Sequence, residues 1–288
     1  MNQPTNILAC VDQSPYAISV ADYSAWAARK LALPLELLHV IDRHQETATS
    51  ADRSGAIGVD AQETLLTQLT EQEGKHFRAV REQGRIFLHD LKLRCETSGT
   101  QNVDTRQRYG QLLEALVEQQ SHVGLYVLGR RGESAEHSRR DLGRHVEAIS
   151  RRIRRPILTV AGEFKEPKTA LVAFDGKRMT RRCIELIAKT SALNDMPFHV
   201  VMAGKSGSDV EKHLDWAREL LTASGFSVET AHLPGDPELG VTQAIQERGA
   251  DLLFMGAYSR SPISSFLFGS KTNDLLRASQ VPTVTVHL

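Results

Sequence analysis

The 288-residue chain repeats itself, and that duplication limits its fold more than any other feature. "NILACVDQS" (6–14) matches "TALVAFDGK" (169–177); each is an apolar run ending in an aspartate, Asp12 and Asp175. The next apolar segments, "LPLELLHVID" (33–42) and "MPFHVVMAG" (196–204), keep the same 163-residue offset at Pro34 and Pro197. Further along, "SGTQNVDTRQRYG" (98–110) matches "SGFSVETAHLPG" (224–235), and "VGLYVLGRRG" (123–132) matches "ADLLFMGAYS" (250–259). "RRPILTV" (154–160) matches "SQVPTVTV" (279–286). Five strand-like segments thus recur in one order. The period is that of a whole domain, not the roughly 20–50 residues of a solenoid unit.

Two domains are expected, 1–162 and 168–288, joined through "GEFKEPKT" (162–169), which is polar and carries Gly and Pro. Ser98 and Ser224 are only 126 positions apart, against 163 for Asp12 and Asp175, so the first domain holds 37 extra residues. They fall at about 44–80, a polar loop running into a long helix rich in Gln and Glu. A surface excursion fits that composition, as does a partner-docking or lid element.

The strand runs are short, β-branched and continuously apolar, as strands covered on both faces are. Helical patterns separate them. In 15–32, Ile18, Ala21, Ala25 and Ala28 recur at spacings of three and four, and Ser14 before Pro15 reads as an N-cap. The stretch 236–248, "DPELGVTQAIQER", starts similarly. Strand alternating with helix implies right-handed crossovers and a parallel sheet. The expected class is α/β: two tandem doubly wound five-stranded domains of strand order 3-2-1-4-5. Ligands of such sheets bind beyond the strands' carboxyl ends, where the winding reverses. The aspartate after strand 1 and the Gly-containing loop after strand 4 meet there.

With 35 basic and 35 acidic residues the formal charge is zero, which argues against a general nucleic-acid or anionic-membrane binder. No apolar run approaches the roughly 18 residues of a membrane span. "MNQPTNILACVDQS" has neither the basic start nor the apolar core of a secretory signal, so a cytoplasmic location is expected. Cys10, Cys95 and Cys183 are isolated and form no CxxC pair. Cys10 and Cys183 read as small buried hydrophobes, and Cys95 sits in a polar helix end. Eleven histidines, His137 and His145 among them, show no ligand spacing that would mark a metal site. Trp26 and Trp216 fall on helices and read as packing residues.

"MGAYSRSPISSFLFGSKTNDLL" (255–276) is the loop after strand 4 of the second domain. Its Gly269-Ser270-Lys271-Thr272 is not a P-loop, because Ser270 separates Gly269 from Lys271 and the upstream glycine is missing. The G-x-G-x-x-G fingerprint is missing after strand 1, where "DQSPY" and "DGKRM" stand. What remains is Gly256, two residues, Ser259, nine residues, then Gly269-Ser270 opening a helix. A glycine lets backbone approach a ligand closely, and a helix N-terminus with free N–H groups and a hydroxyl suits an anion.

This pattern resembles the universal stress protein family, whose nucleotide-binding members carry G-x2-G-x9-G-[ST] after the fourth strand. The resemblance spans the whole chain, once per repeat. It implies a tandem protein of adenine-nucleotide alpha-hydrolase-like fold, whose halves pair as a pseudo-dimer through the fifth strands, "ILTVAG" and "TVTVHL". It also implies an adenine nucleotide (ATP, ADP or AMP, with Mg2+ for ATP) in the second domain. There Asp175 would contact the adenosine, backbone near Val201 and Met202 would flank the adenine, and Gly256, Ser259, Gly269 and Ser270 would hold ribose and phosphates. Ser259 departs from the family glycine; if that position needs positive φ, serine costs roughly 1 kcal/mol or more. The first domain departs further. Asp12, Gly129 and Gly132 are present, but ten residues precede Gly143, and Arg144 replaces the Ser or Thr. Arg130, Arg131, Arg139 and Arg140 leave an anion held by guanidinium groups open there. No base, nucleophile or metal ligand accompanies either aspartate, so a sensor or regulator with at most weak ATPase activity is expected. A non-nucleotide-binding scaffold acting through protein–protein interaction is the first alternative, and an enzyme using ATP as a substrate, for which no acceptor-activating residue is seen, is the second. A homodimer of chains remains open.

Overall fold

The structure is a computed structural model; it describes residues 6–41, 59–130, 144–204, 207–256 and 279–287, with side chains from Gly74 onward in the long helix, His76 apart, and from Val146 in residues 144–152. The first half runs β1 (Asn6–Cys10), α1 (Ala17–Leu31), β2 (Leu35–Ile41), α2 (Val59–Thr97), β3 (Val103–Tyr109), α3 (Leu112–Glu118), β4 (Val123–Gly129), α4 (Arg144–Arg152) and β5 (Ile157–Val160). The second half runs β6 (Ala170–Phe174), α5 (Arg178–Ala188), a short 3-10 turn (Ser191–Leu193) and β7 (Phe198–Ala203). It continues with α6 (Val210–Ala223), β8 (Val228–Leu233), α7 (Pro237–Glu247), β9 (Leu252–Gly256) and β10 (Thr283–Val286).

All ten strands form one sheet, ordered β3-β2-β1-β4-β5-β10-β9-β6-β7-β8. Each half is parallel within itself and reads 3-2-1-4-5 in its own numbering. The halves join where β5 and β10 pair antiparallel, with Thr159 opposite Thr283 and Ile157 opposite Thr285. Each would otherwise be a bare edge strand, and pairing satisfies both rows of backbone groups. Antiparallel joining has a consequence for function: the carboxyl ends of β1–β5 and of β6–β10 point to opposite rims, so the two candidate sites lie on opposite edges.

Helices α1, α2, α5 and α6 cover one face, and their core runs unbroken across both halves from Ile7 and Leu37 to Val172, Phe198 and Val284. The other face is covered by α3 and α4 in the first half, through Leu116, Ile149 and Ile153, and by α7 in the second, through Val241 and Ile245. Val146 of α4 packs into the second half's cluster. Each such side chain, fully buried, contributes about 1.5–3 kcal/mol. The linker is tied down too: Asp251 accepts from Lys168 N at 3.2 Å and pairs with Lys165. Lys30 of α1 pairs with Asp195 across the halves.

Local expectations divide. Asp236 caps α7, accepting from Glu238 N (2.9 Å) and Leu239 N (3.1 Å), with Pro237 in the first turn. Ser14 does not cap α1: the N-cap is Tyr16, without a side-chain cap, and Ser14 Oγ instead accepts from Tyr16 N at 3.3 Å in the preceding turn. Ile18 is 53% exposed, because the buried stripe of α1 runs through Ala17, Val20, Ala21, Ala25 and Ala28. The 39 residues of α2, about 58 Å at 1.5 Å per residue, face only 14 in α6. Buried Leu88, Leu91 and Cys95 of α2 match Leu214, Ala217 and Leu221 of α6 at the 126 offset. The crossover proper is therefore the last stretch of α2, and the extra turns precede it.

Candidate functional site

At the second half's carboxyl rim, β6 ends at Phe174 and Asp175 begins the turn into α5. The turn needs Gly176, whose φ is +70° and whose missing Cβ would lie 2.1 Å from His213 Nδ1. The Asp175 carboxylate points back into this turn: Oδ1 accepts from Lys177 N at 2.9 Å and from the Thr180 hydroxyl at 2.6 Å. The Asp175 N–H in turn donates to Thr180 Oγ1 at 3.3 Å. Among the described residues Oδ2 accepts no hydrogen bond. Lys177 and Arg178, exposed at the start of α5, add positive charge at this rim.

Gly256 ends β9, the strand next to β6. Its close approach is to protein: a Cβ there would lie 2.9 Å from Met179 Cβ and 3.1 Å from Thr180 N. Gly256 therefore lets the first turn of α5 settle against the strand end. On the other side of β6, Val201 is 1% exposed and paired with Ala173 and Ala231, and Met202 is the last residue paired with β6. Ala203, the next residue, pairs with Leu233 of β8 and lies just beyond the last β6 pair, with its carbonyl towards the rim. Asp175, Ala203 and Gly256 are thus brought together. Ser259, Gly269 and Ser270 lie outside the described residues.

Two residues at this rim were not singled out from the sequence, Ala203 and Thr180. Ala203 differs from Met202 only in where β6 stops pairing. Thr180 carries a signal in hindsight, since it stands five residues after Asp175, within the first turn of the following helix.

In the first half Asp12 Oδ1 accepts from Ser14 N at 3.2 Å, and the position matching Thr180 is Ala17, which has no hydroxyl. Gly129 ends β4. The guanidinium of Arg130 donates to Ser279 O in the second half, so this arginine joins the halves. Gly132 and Gly143 lie outside the described residues, as do Arg131, Arg139 and Arg140.

His287 follows β10, whose Val286 pairs with Gly256. Burial pushes its imidazole down to about 4, so it is neutral near pH 7 and adds no charge beside that rim. Burial pushes the Cys95 and Cys183 thiols up to about 12. Cys95 faces inward, donating to Ala21 O at 3.6 Å, despite its polar sequence neighbours. Cys10, partly buried in β1, is raised too, first by burial and then by the Asp12 and Glu36 charges. Thiols held protonated are poor nucleophiles. Trp216 stacks on Phe174 at 6.1 Å and carries Arg181 over its ring at 4.3 Å, a packing role. No cluster of three metal-ligating side chains occurs among the described residues, and no helix among them is long and apolar enough to cross a membrane.

The family model described as "Universal stress protein family" matches residues 4–161 and again 167–287. The chain belongs to the universal stress protein family. It is 32% identical to the universal stress protein Slr1230 of Synechocystis sp. over 283 residues, 97% of this chain and 99% of that one. The fold resembles a universal stress protein structure from Archaeoglobus fulgidus, with a TM-score of 0.69, 17% identity and 99% of both chains covered. It also resembles a putative universal stress protein from Pseudomonas aeruginosa, with a TM-score of 0.64, 16% identity, and 99% and 93% covered. The two copies of the family model correspond to the two halves of the sheet.

Proposed function

We propose that this universal stress protein binds an adenine nucleotide at the second half's carboxyl rim and acts as a sensor or regulator. The observation that carries the reading is the Asp175 carboxylate. It stands where the winding of β6 and β9 reverses, beside Gly256, with one oxygen held and the other accepting no hydrogen bond among the described residues. An open carboxylate oxygen accepts hydrogen bonds from ribose or from an exocyclic amine. The Ala203 carbonyl offers an acceptor on the opposite side, where the adenine amine fits. Exposed Lys177 and Arg178 suit the charge of a polyphosphate, with Mg2+ accompanying ATP. Ser259, Gly269 and Ser270 complete the site from the loop after β9. The first half, without a counterpart of Thr180 and with Arg130 committed to Ser279, is the degenerate copy.

His213 packs against Gly176, next to Asp175, and any hydrolysis at this rim is expected to be slow. Equilibrium binding of a fluorescent ATP analogue tests the proposal, with Asp175→Ala and Gly269→Val as controls. Saturable binding weakened by both substitutions is expected. No binding at millimolar nucleotide leaves the second reading, a scaffold for a regulatory protein or a second copy. The long α2, with its extra turns ahead of the crossover, favours that reading.

A further inference from the structure

We infer that Gly256 and Thr180 act on the ligand through Asp175, as positioning residues of one packed unit. The inference rests on the proposed nucleotide reading.

The Asp175 side chain has two rotatable bonds, and in open solvent its carboxylate would sample several directions. Here one oxygen is fixed by two donors of different origin. Lys177 N–H comes from the turn, and the Thr180 hydroxyl comes from the first turn of α5. Thr180 is 7% exposed, and its hydroxyl also accepts from Asp175 N–H, closing a reciprocal pair. Lys177 O, 3.1 Å from the same hydroxyl, is a competing acceptor, so the hydroxyl's choice depends on where the helix turn sits.

Gly256 sets that position. With no Cβ, it admits Met179 and Thr180 to within van der Waals contact of the strand end. A methyl group there would meet Met179 Cβ at 2.9 Å and Thr180 N at 3.1 Å, and the backbone of α5 would have to move by a few tenths of an ångström. Such a shift lengthens the 2.6 Å bond to Asp175 and turns its second oxygen away from the ligand. The first glycine of the loop motif thus reaches the ligand by way of the neighbouring helix as well as through its own backbone. The first half shows the unit undone, with Ala17 in place of the hydroxyl.

The test is a thermodynamic cycle read with a fluorescent ATP analogue, paired with amide exchange of the nucleotide-free protein. Thr180→Val, nearly isosteric, is expected to weaken binding roughly tenfold, the size of one hydrogen bond to a charged group. Thr180→Ser is expected to restore it. On an Asp175→Ala background Thr180→Val is expected to have no further effect, because the group it positions is gone. Gly256→Ala is expected to weaken binding less on the Thr180→Val background than alone. Equal losses with and without the Asp175 carboxylate overturn the inference. Without nucleotide, Thr180→Val and Gly256→Ala are both expected to speed exchange of the Lys177 amide. If wild type binds no nucleotide, the proposed function fails, and this exchange alone judges the hold on Asp175. Unchanged exchange in both variants overturns it.

Discussion

Gly176 shows how much one residue decides at this rim. Its positive φ and the 2.1 Å approach of His213 Nδ1 leave no place for a side chain. Gly176→Ala is expected to cost roughly 2–4 kcal/mol in chemical denaturation, from overpacking together with left-handed backbone strain. On a His213→Ala background only the backbone part, about 1 kcal/mol, should remain. An undiminished cost there would rule out the histidine contact as the cause. The aspartate before this glycine could be read from the repeat, since each apolar run ends in one. Its partners could not, because the Thr180 hydroxyl and the Gly256 strand end come from different segments that only folding brings together. Cys95 makes the same point in reverse: polar sequence neighbours hid a side chain that the helix period turns inward to 1% exposure.

At the scale of elements, the periodicities located the strands and most helices, and their ends were the weak point. Asp236 and Ser14 both stand before a proline, yet only Asp236 caps a helix. The turn after Pro15 delays α1 by two residues, a choice made by how the chain leaves β1. The long helix α2 divides into a crossover that packs and turns that precede it. Replacing residues 44–73 with a short Gly/Ser linker is expected to lower helix content while shifting Tm by no more than about 3 °C, the equivalent of under 1 kcal/mol. Leu88→Ala or Leu91→Ala, at 3% and 5% exposure, is expected to cost about 2–5 kcal/mol. A large loss of Tm in the shortened chain would show that the extra turns belong to the core.

For the molecule as a whole, the β5–β10 seam decides both shape and stability. Residues 168–288 expressed alone would expose β10 as an edge with Val284 at its centre. That fragment is expected to dimerise in size-exclusion chromatography, and Val284→Lys to make it monomeric or unfolded. A monomeric wild-type fragment would show that the edge needs no partner. His287, beside the seam, ties stability to acid. Its folded pKa is depressed to about 4 from 6.5, so the unfolded chain binds the proton more readily between those values. Stability is therefore full above about pH 6.5 and falls as pH drops towards 4, by up to about 3 kcal/mol. His287→Phe should flatten this part of the profile; an identical profile would assign the acid loss elsewhere.

Sequence alone determined that the chain is a duplicated α/β protein and which strand ends carry aspartate and glycine. Those features are periodic or repeated, and a repeat needs no partner to be seen. Tertiary structure decided that ten strands share one sheet and that the two rims face opposite ways. It also decided that Gly256 packs on the helix that holds Asp175. Each of these depends on contacts between segments far apart in the chain, where strand pairing direction and the absence of one Cβ set the geometry.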